Sequence, residues 1–254
     1  MRYFISLVQN EWMKANSKRQ VPYYYAFLAV ISLLLAVAMR FFIFKDQPYS
    51  FISFTSDVHF ISNTLTSIFI MVISAQIITD EYKDGTIKQL LIRPASRTMV
   101  LMSKLVNIML IMLVVYLFTL FIGLALGAIF FNVIPADVKL VQIAADMALG
   151  LPNVLFYALV AFTTAVLTHS LGLSITIPIV LKSVVGSAIY FLANKSWYKF
   201  LIFPNMDWKP YFTGDADMLP FKGATLGYSI AVYAVYMIVL LGISIFVFKK
   251  RDVQ

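Results

Sequence analysis

TDEYKDGTIKQLLIRPASRTMVLMSK, residues Thr79 to Lys104, is a charged stretch between two apolar runs, each long enough to cross a bilayer. Asp80, Glu81 and Asp84 come first, Gly85-Thr86 makes a break, and Ile87 to Arg93 reads as a short helix. The Thr86 hydroxyl can accept a hydrogen bond from an otherwise orphan backbone N–H, which caps that helix. Asp84 lies at the positive end of its dipole. Pro94 disfavours the α conformation at Arg93 and ends it, and Ser96 is placed to cap the next helix. Ile87, Leu90 and Leu91 fall on one side. The stretch therefore predicts a small amphipathic helix raised on a hairpin, a shape suited to docking. A solvated loop that only kept the hairpin out of lipid would need neither the cap nor the apolar side.

The flanks decide the fold class. The second span, Phe60–Ile78, precedes the hairpin; the third runs apolar from Ile108 to Phe131, with Lys104 and Asn107 still near the surface. Pro22 opens the first span, Tyr23–Phe44, which is followed by a loop, Lys45–His59. Asn132–Gly150 reads as a loop with an amphipathic turn through Val138–Ala145. The fourth span, Leu151–Thr168, is separated from the fifth, Gly172–Ala193, by only His169-Ser170-Leu171. Asn194–Thr225 is the longest polar interval, and Lys249-Lys250-Arg251 stop the sixth span, Leu226–Phe248. With 254 residues, 61% hydrophobic and 13% charged, and a mean hydropathy of +0.86, the chain carries more apolar surface than a soluble core of this length absorbs. The expectation is an all-α polytopic membrane protein, one domain over 1–254 with six transmembrane helices.

Residues 1–22 add an N-terminal helix in the membrane interface. Phe4, Ile5, Leu7, Val8 and Trp12 fall at helical spacing on one side, Gln9, Asn10 and Lys14 elsewhere, and Trp12 suits headgroup depth. No continuous apolar core of a cleavable signal is present there.

Charge gives the orientation. Six spans put both termini and the hairpin on one side, which holds twelve of the twenty basic residues against five acidic ones. The positive-inside bias makes that side cytoplasmic. The net charge of +8 is thus a topology signal and not a nucleic-acid footprint.

Catalytic constellations are missing from the sequence. There is no cysteine and only two histidines, His59 and His169, so no cluster has metal-ligand spacing. No phosphate-binding P-loop motif occurs, so any nucleotide energy comes from another polypeptide. One residue deep inside a span carries charge, since Arg40 stands close to the end of the first span. Lys182 lies near the middle of the fifth span, where a lysine costs roughly 2.5–3.5 kcal/mol on insertion scales. It either faces a water-filled path or an acidic group of a substrate, or it snorkels or bonds a hydroxyl such as Ser183, Ser174 or a tyrosine. Pro178 and Gly186 can loosen the helix around it. Gly123-Leu-Ala-Leu-Gly127 lets helices approach closely, and packing within one subunit is favoured over a dimer seam. Residues 194–225 hold eight aromatics, among them Trp197, Phe203, Trp208 and Phe221, and read as an aromatic belt at the outer interface or an exit gate.

Glu81, Gly85-Thr86, Leu90-Leu91, Pro94-Ala95-Ser96-Arg97 and Lys104 resemble the loop between the second and third spans of ABC-2 type transporter permeases. Glu11-x-x-Lys14 resembles their interfacial elbow helix, and the six-span layout extends the likeness over the whole chain. The resemblance implies an ABC-2, type V exporter-like permease fold and a subunit of the bacterial cytoplasmic membrane. It implies a homodimer, or a pair with a related permease, binding two copies of a separate ABC ATPase. ATP and Mg would sit on that ATPase, with no cofactor, metal or catalytic residue in this chain. The coupling residues implied are Glu81, Asp84, Gly85, Thr86, Ile87, Leu90, Leu91, Arg93, Pro94 and Arg97, with Glu11, Trp12 and Lys14 in the elbow and Lys182 on the transport path. The short unfused form resembles permeases of peptide-antibiotic immunity and phenol-soluble modulin export. A secondary transporter or channel would instead show inverted repeats and carboxylates within spans. A non-transporting membrane anchor or sensor subunit would need only the docking helix.

Overall fold

The computed structural model describes residues 2–45, 47–85, 96–131, 139–213 and 219–250. Helix α1 covers Arg2–Ser17. Six helices long and apolar enough to cross a membrane follow: α2 (Gln20–Ile43), α3 (Phe51–Lys83), α4 (Arg97–Phe130), α5 (Leu140–Thr168), α6 (Leu171–Ala188) and α7 (Leu226–Lys250). No strand occurs among the described residues. An all-helical, polytopic membrane architecture follows, because only intra-helix hydrogen bonds satisfy the backbone in hydrocarbon without a closed barrel.

Helices α3, α4 and α5 extend further than hydropathy indicates, whereas α6 stops at Ala188, short of the expected Ala193. The expected loop Lys45–His59 is helical from Phe51, where the Ser50 hydroxyl accepts from the Ile52 N–H at 3.3 Å. Phe54 and Val58, four apart, are buried against Ala36, Met39 and Phe131; that packing outweighs the polar Ser53, Ser56, Asp57 and His59 around them. Likewise α5 begins at Leu140 rather than after Gly150, because Ile143 and Met147 give its first turns a buried side. At the hairpin, α3 runs on to Lys83 and α4 starts at Arg97. Hence Asp80, Glu81 and Lys104 lie on helices, and two of the six spanning helices carry carboxylates: α3 contains Asp57, Asp80 and Glu81, and α5 contains Asp146.

Packing divides the chain into two compact units, Met1–Thr66 with Val106–Ala148, and Ser67–Leu105 with Leu149–Gln254. In the first unit, Phe44 stacks on Tyr49 at 4.1 Å between centroids, and Phe131 meets both Tyr49 and Phe54. Tyr49 donates to Asp57 Oδ2 at 2.5 Å; burial, then this carboxylate, holds its phenol above the ordinary tyrosine range. The second unit is built on Met71, Phe156, Tyr157, Val160, Ala161, Ile202, Met206 and Tyr233.

The glycine pair of α4 packs inside the chain. A Cβ at Gly123 would meet Thr55 Cγ2 at 3.0 Å, and one at Gly127 would meet the Phe51 carbonyl oxygen at 2.8 Å. A methyl side chain can shift; a backbone oxygen within a helix yields little. Gly127→Ala is therefore expected to destabilise the protein by about 1–3 kcal/mol through overpacking, despite alanine's better helix propensity. Gly123→Ala should lose less. Thermal unfolding in a neutral detergent measures both, and a Gly127→Ala protein as stable as wild type would refute the close approach.

Candidate functional site

The hairpin's base is built at the last turn of α3 and the first turns of α4. Lys104 Nζ donates to Glu81 Oε1 at 2.6 Å; the lysine is fully buried and the glutamate 7% exposed. Ile78, Val100, Leu101 and Ser103 are buried as well. An ion pair removed from water in this way holds its geometry, because breaking it leaves an uncompensated charge in a low dielectric. The pair thus fixes where α3 ends against where α4 begins.

Beyond it, α3 ends at an Asp84-Gly85 turn, with Gly85 in the left-handed region at φ 65°, the conformation glycine supplies without strain. Ser96 Oγ accepts from the Met99 N–H at 3.2 Å and caps α4, as its position in the sequence predicts. The remaining expected coupling residues, Thr86, Ile87, Leu90, Leu91, Arg93 and Pro94, lie outside the described residues.

Two further contacts join the base to other helices of its unit. The Tyr82 ring stacks on His169 at 3.6 Å, and His169, at φ 52°, forms with Ser170 the connection between α5 and α6. Arg97 Nη1 donates to the Lys249 carbonyl at 3.0 Å, where the last turn of α7 presents acceptors and negative dipole to a cation. Sequence reasoning selected Glu81, Arg97 and Lys104 but not these partners.

In α1, Glu11 bonds Lys14 at 3.1 Å, the i,i+3 pair that the elbow pattern suggests. Leu7 and Glu11 point inward, whereas Ile5 is exposed. Trp12 lines an apolar cavity of about 420 Å³ with Val8, Met13, Leu110 and Val114.

Lys182 sits on the inward stripe of α6. Ser174 and Pro178, eight and four residues earlier, are both buried. From Leu181 to Val185 the helix widens to i→i+5 bonding, closed by the Gly186 N–H on the Leu181 carbonyl; such turns often mark functional positions. The amine donates to Ser67 Oγ at 2.5 Å and lies 5.6 Å from the centre of the Tyr157 ring. Because Ser67 and Tyr157 are almost wholly buried, Lys182 reaches into the protein and does not snorkel. The hydroxyls suggested from sequence are used elsewhere: Ser183 donates to Ile179 O and Ser174 to Ser170 O.

Residues 198–213 are organised by a buried asparagine. Asn205 Nδ2 donates to the carbonyls of Lys199 and Leu201, while Oδ1 accepts from Ser229 of α7 at 2.7 Å. Tyr211 bonds the same serine hydroxyl at 2.6 Å. Ile202 and Met206 consequently enter the apolar core of their unit, which goes beyond a surface belt of aromatics.

This geometry belongs to a chain whose residues 26–254 match a family model described as a protein of unknown function, DUF2705. The chain belongs to the DUF2705 family. Similar proteins include two of Bacillus subtilis (strain 168). One, described as "Uncharacterized protein YhcI", is 31% identical over 228 residues, covering 82% of this chain and 71% of the relative. The other, "Uncharacterized membrane protein YdbK", is 27% identical over 240 residues, covering 89% and 97%. Together with the six apolar helices, these matches make this DUF2705 chain a multi-pass membrane protein.

Proposed function

We propose that this chain is the membrane-spanning permease subunit of an ATP-driven exporter of the ABC-2 type. It moves amphipathic peptides, such as peptide antibiotics or toxins, out of a bacterial cell or its membrane. One observation carries the reading: the buried Glu81–Lys104 pair pins the base of a hairpin whose tip sequence has the pattern expected of a capped amphipathic helix. A rigid base is what a docking element needs if a partner's motion is to reach α3 and α4. Tyr82 on His169 and Arg97 on Lys249 extend that route to α5, α6 and α7.

The partner is a separate ATPase in two copies that holds ATP and Mg, and a second permease, identical or related, completes the assembly. The buried Glu81 and the half-buried Asp57 of α3 do not favour an ion-coupled transporter, since Lys104 donates to Glu81 and Tyr49 to Asp57. In the cytoplasmic membrane of a bacterium, the charge bias places the termini and the hairpin inside. Chain purified from its native membrane should carry a P-loop ATPase and hydrolyse ATP; a preparation with neither overturns the reading.

Orientation has its own test. The chain has no cysteine, so single cysteines report without background. Gln47→Cys and Lys222→Cys, both at exposed positions, should react with an impermeant maleimide on intact cells. Lys88→Cys should react only after permeabilisation. Labelling of position 88 from outside reverses the topology.

A further inference from the structure

Two lysines of the second unit, the buried Lys104 and the half-buried Lys182, are treated differently. Lys104 has a carboxylate, Glu81, at 2.6 Å. Lys182 has a neutral hydroxyl, Ser67 Oγ, and the face of the Tyr157 ring, and among the described residues no carboxylate pairs with it. An ammonium carries three donors and a full charge; one hydroxyl and one aromatic face satisfy part of that and neutralise none of it. In a low-dielectric setting the missing component is an anion. The site is also built. Ser67 and Tyr157 are almost wholly buried, so they fix the direction of the amine, and the widened turn at Leu181–Val185 begins beside it.

From this we infer that Lys182, Ser67 and Tyr157 form a binding site for a single carboxylate carried on an apolar chain, as on an acidic side chain or C-terminus of an amphipathic peptide. One positive charge balances one carboxylate and leaves a neutral pair within the membrane. A phosphate monoester, with close to two negative charges, calls for a second cation or a guanidinium fork, and neither is bonded at this site. The aromatic face and the neighbouring core of Met71, Phe156 and Val160 suit the apolar part of such a ligand. This inference rests on the exporter reading for its physiological cargo. Its binding test uses no ATP and no partner, so failure of one is separable from failure of the other.

Trp208 packs on the same cluster as Tyr157 and serves as the reporter once Trp12 and Trp197, the other two tryptophans of the chain, are replaced by phenylalanine. The full-length chain in a neutral maltoside detergent is titrated with 11-bromoundecanoate, 11-bromoundecanol and 11-bromoundecyl phosphate, and bromine quenching of Trp208 is followed. A charge-assisted hydrogen bond predicts half-maximal quenching by the carboxylate at a concentration at least about tenfold below that of the alcohol. The phosphate should fall behind the carboxylate. Lys182→Met should abolish the preference, Lys182→Arg should retain it, and Ser67→Ala should weaken it, while Lys195→Met, at an exposed position, should match wild type. Equal potency of carboxylate and alcohol in the otherwise wild-type chain overturns the site without any appeal to a variant. Phosphate as potent as carboxylate overturns the ligand class, and a preference that survives in a folded Lys182→Met protein overturns the role of the amine.

Discussion

Lys104→Met is expected to be the most damaging conservative change in the chain. It leaves Glu81, 7% exposed, without the ammonium that lies 2.6 Å away, and stranding one partner of a buried pair costs about 3–5 kcal/mol. Glu81→Gln strands the lysine and should behave similarly. Combining Glu81→Gln with Lys104→Met removes both charges while keeping similar shapes, so it should recover most of the loss, because the desolvation penalty disappears together with the attraction. Unfolding in detergent of the two single variants and the double variant closes the cycle. Single variants within about 1 kcal/mol of wild type would mean that the pair is hydrated. A double variant no better than either single would mean that packing, not charge, makes the contact matter.

If the proposed ATPase docks on the hairpin, Leu90→Asp and Leu91→Asp are expected to leave the chain inserted and folded while that partner is lost. Both positions lie on the apolar side of the tip sequence. Docked in a partner's groove, a new carboxylate would be desolvated with nothing to pair with it, at several kcal/mol, which converts to an affinity loss of about a hundredfold or more. The measurement is ATP hydrolysis and retention of the ATPase on affinity-purified chain, at matched membrane levels and with unchanged melting. Wild-type retention by both variants would remove the coupling role from the hairpin.

The parts legible in the sequence are those that local chemistry dictates. Gly85 breaks the helix because glycine takes a left-handed φ, and Ser96 caps because its hydroxyl reaches Met99 N–H. Six spans follow from hydropathy alone. Helix ends were misplaced where tertiary burial overrides a polar surface pattern, as Phe54 and Val58 do among Ser53, Asp57 and His59. The partners of the charged groups were not legible either. Lys104 and Glu81 stand 23 residues apart and Lys182 and Ser67 stand 115 apart, and no periodicity links such distant positions. A signal for Lys182 did exist. Ser174, Pro178 and Lys182 recur every fourth residue, which puts the lysine on the same stripe as two core positions. Asn205 gave no signal at all, since one asparagine among many aromatics looks like any loop residue.

The length of α3 bears on how this protein meets lipids of different kinds. Thirty-three helical residues extend about 50 Å, against a hydrocarbon thickness of about 30 Å. Its apolar stretch, Phe60–Ile78, alone matches that thickness, so both charged ends stand in the headgroup layers or beyond when the helix is upright. Longer acyl chains would raise the lipid boundary toward Glu81, where a bare carboxylate would resist and force the helix to tilt or the bilayer to thin. Glu81 is not bare, because protein already encloses it together with Lys104. The rise of the lipid boundary therefore strips no water from the pair, and the hairpin's footing tolerates membranes of varied thickness.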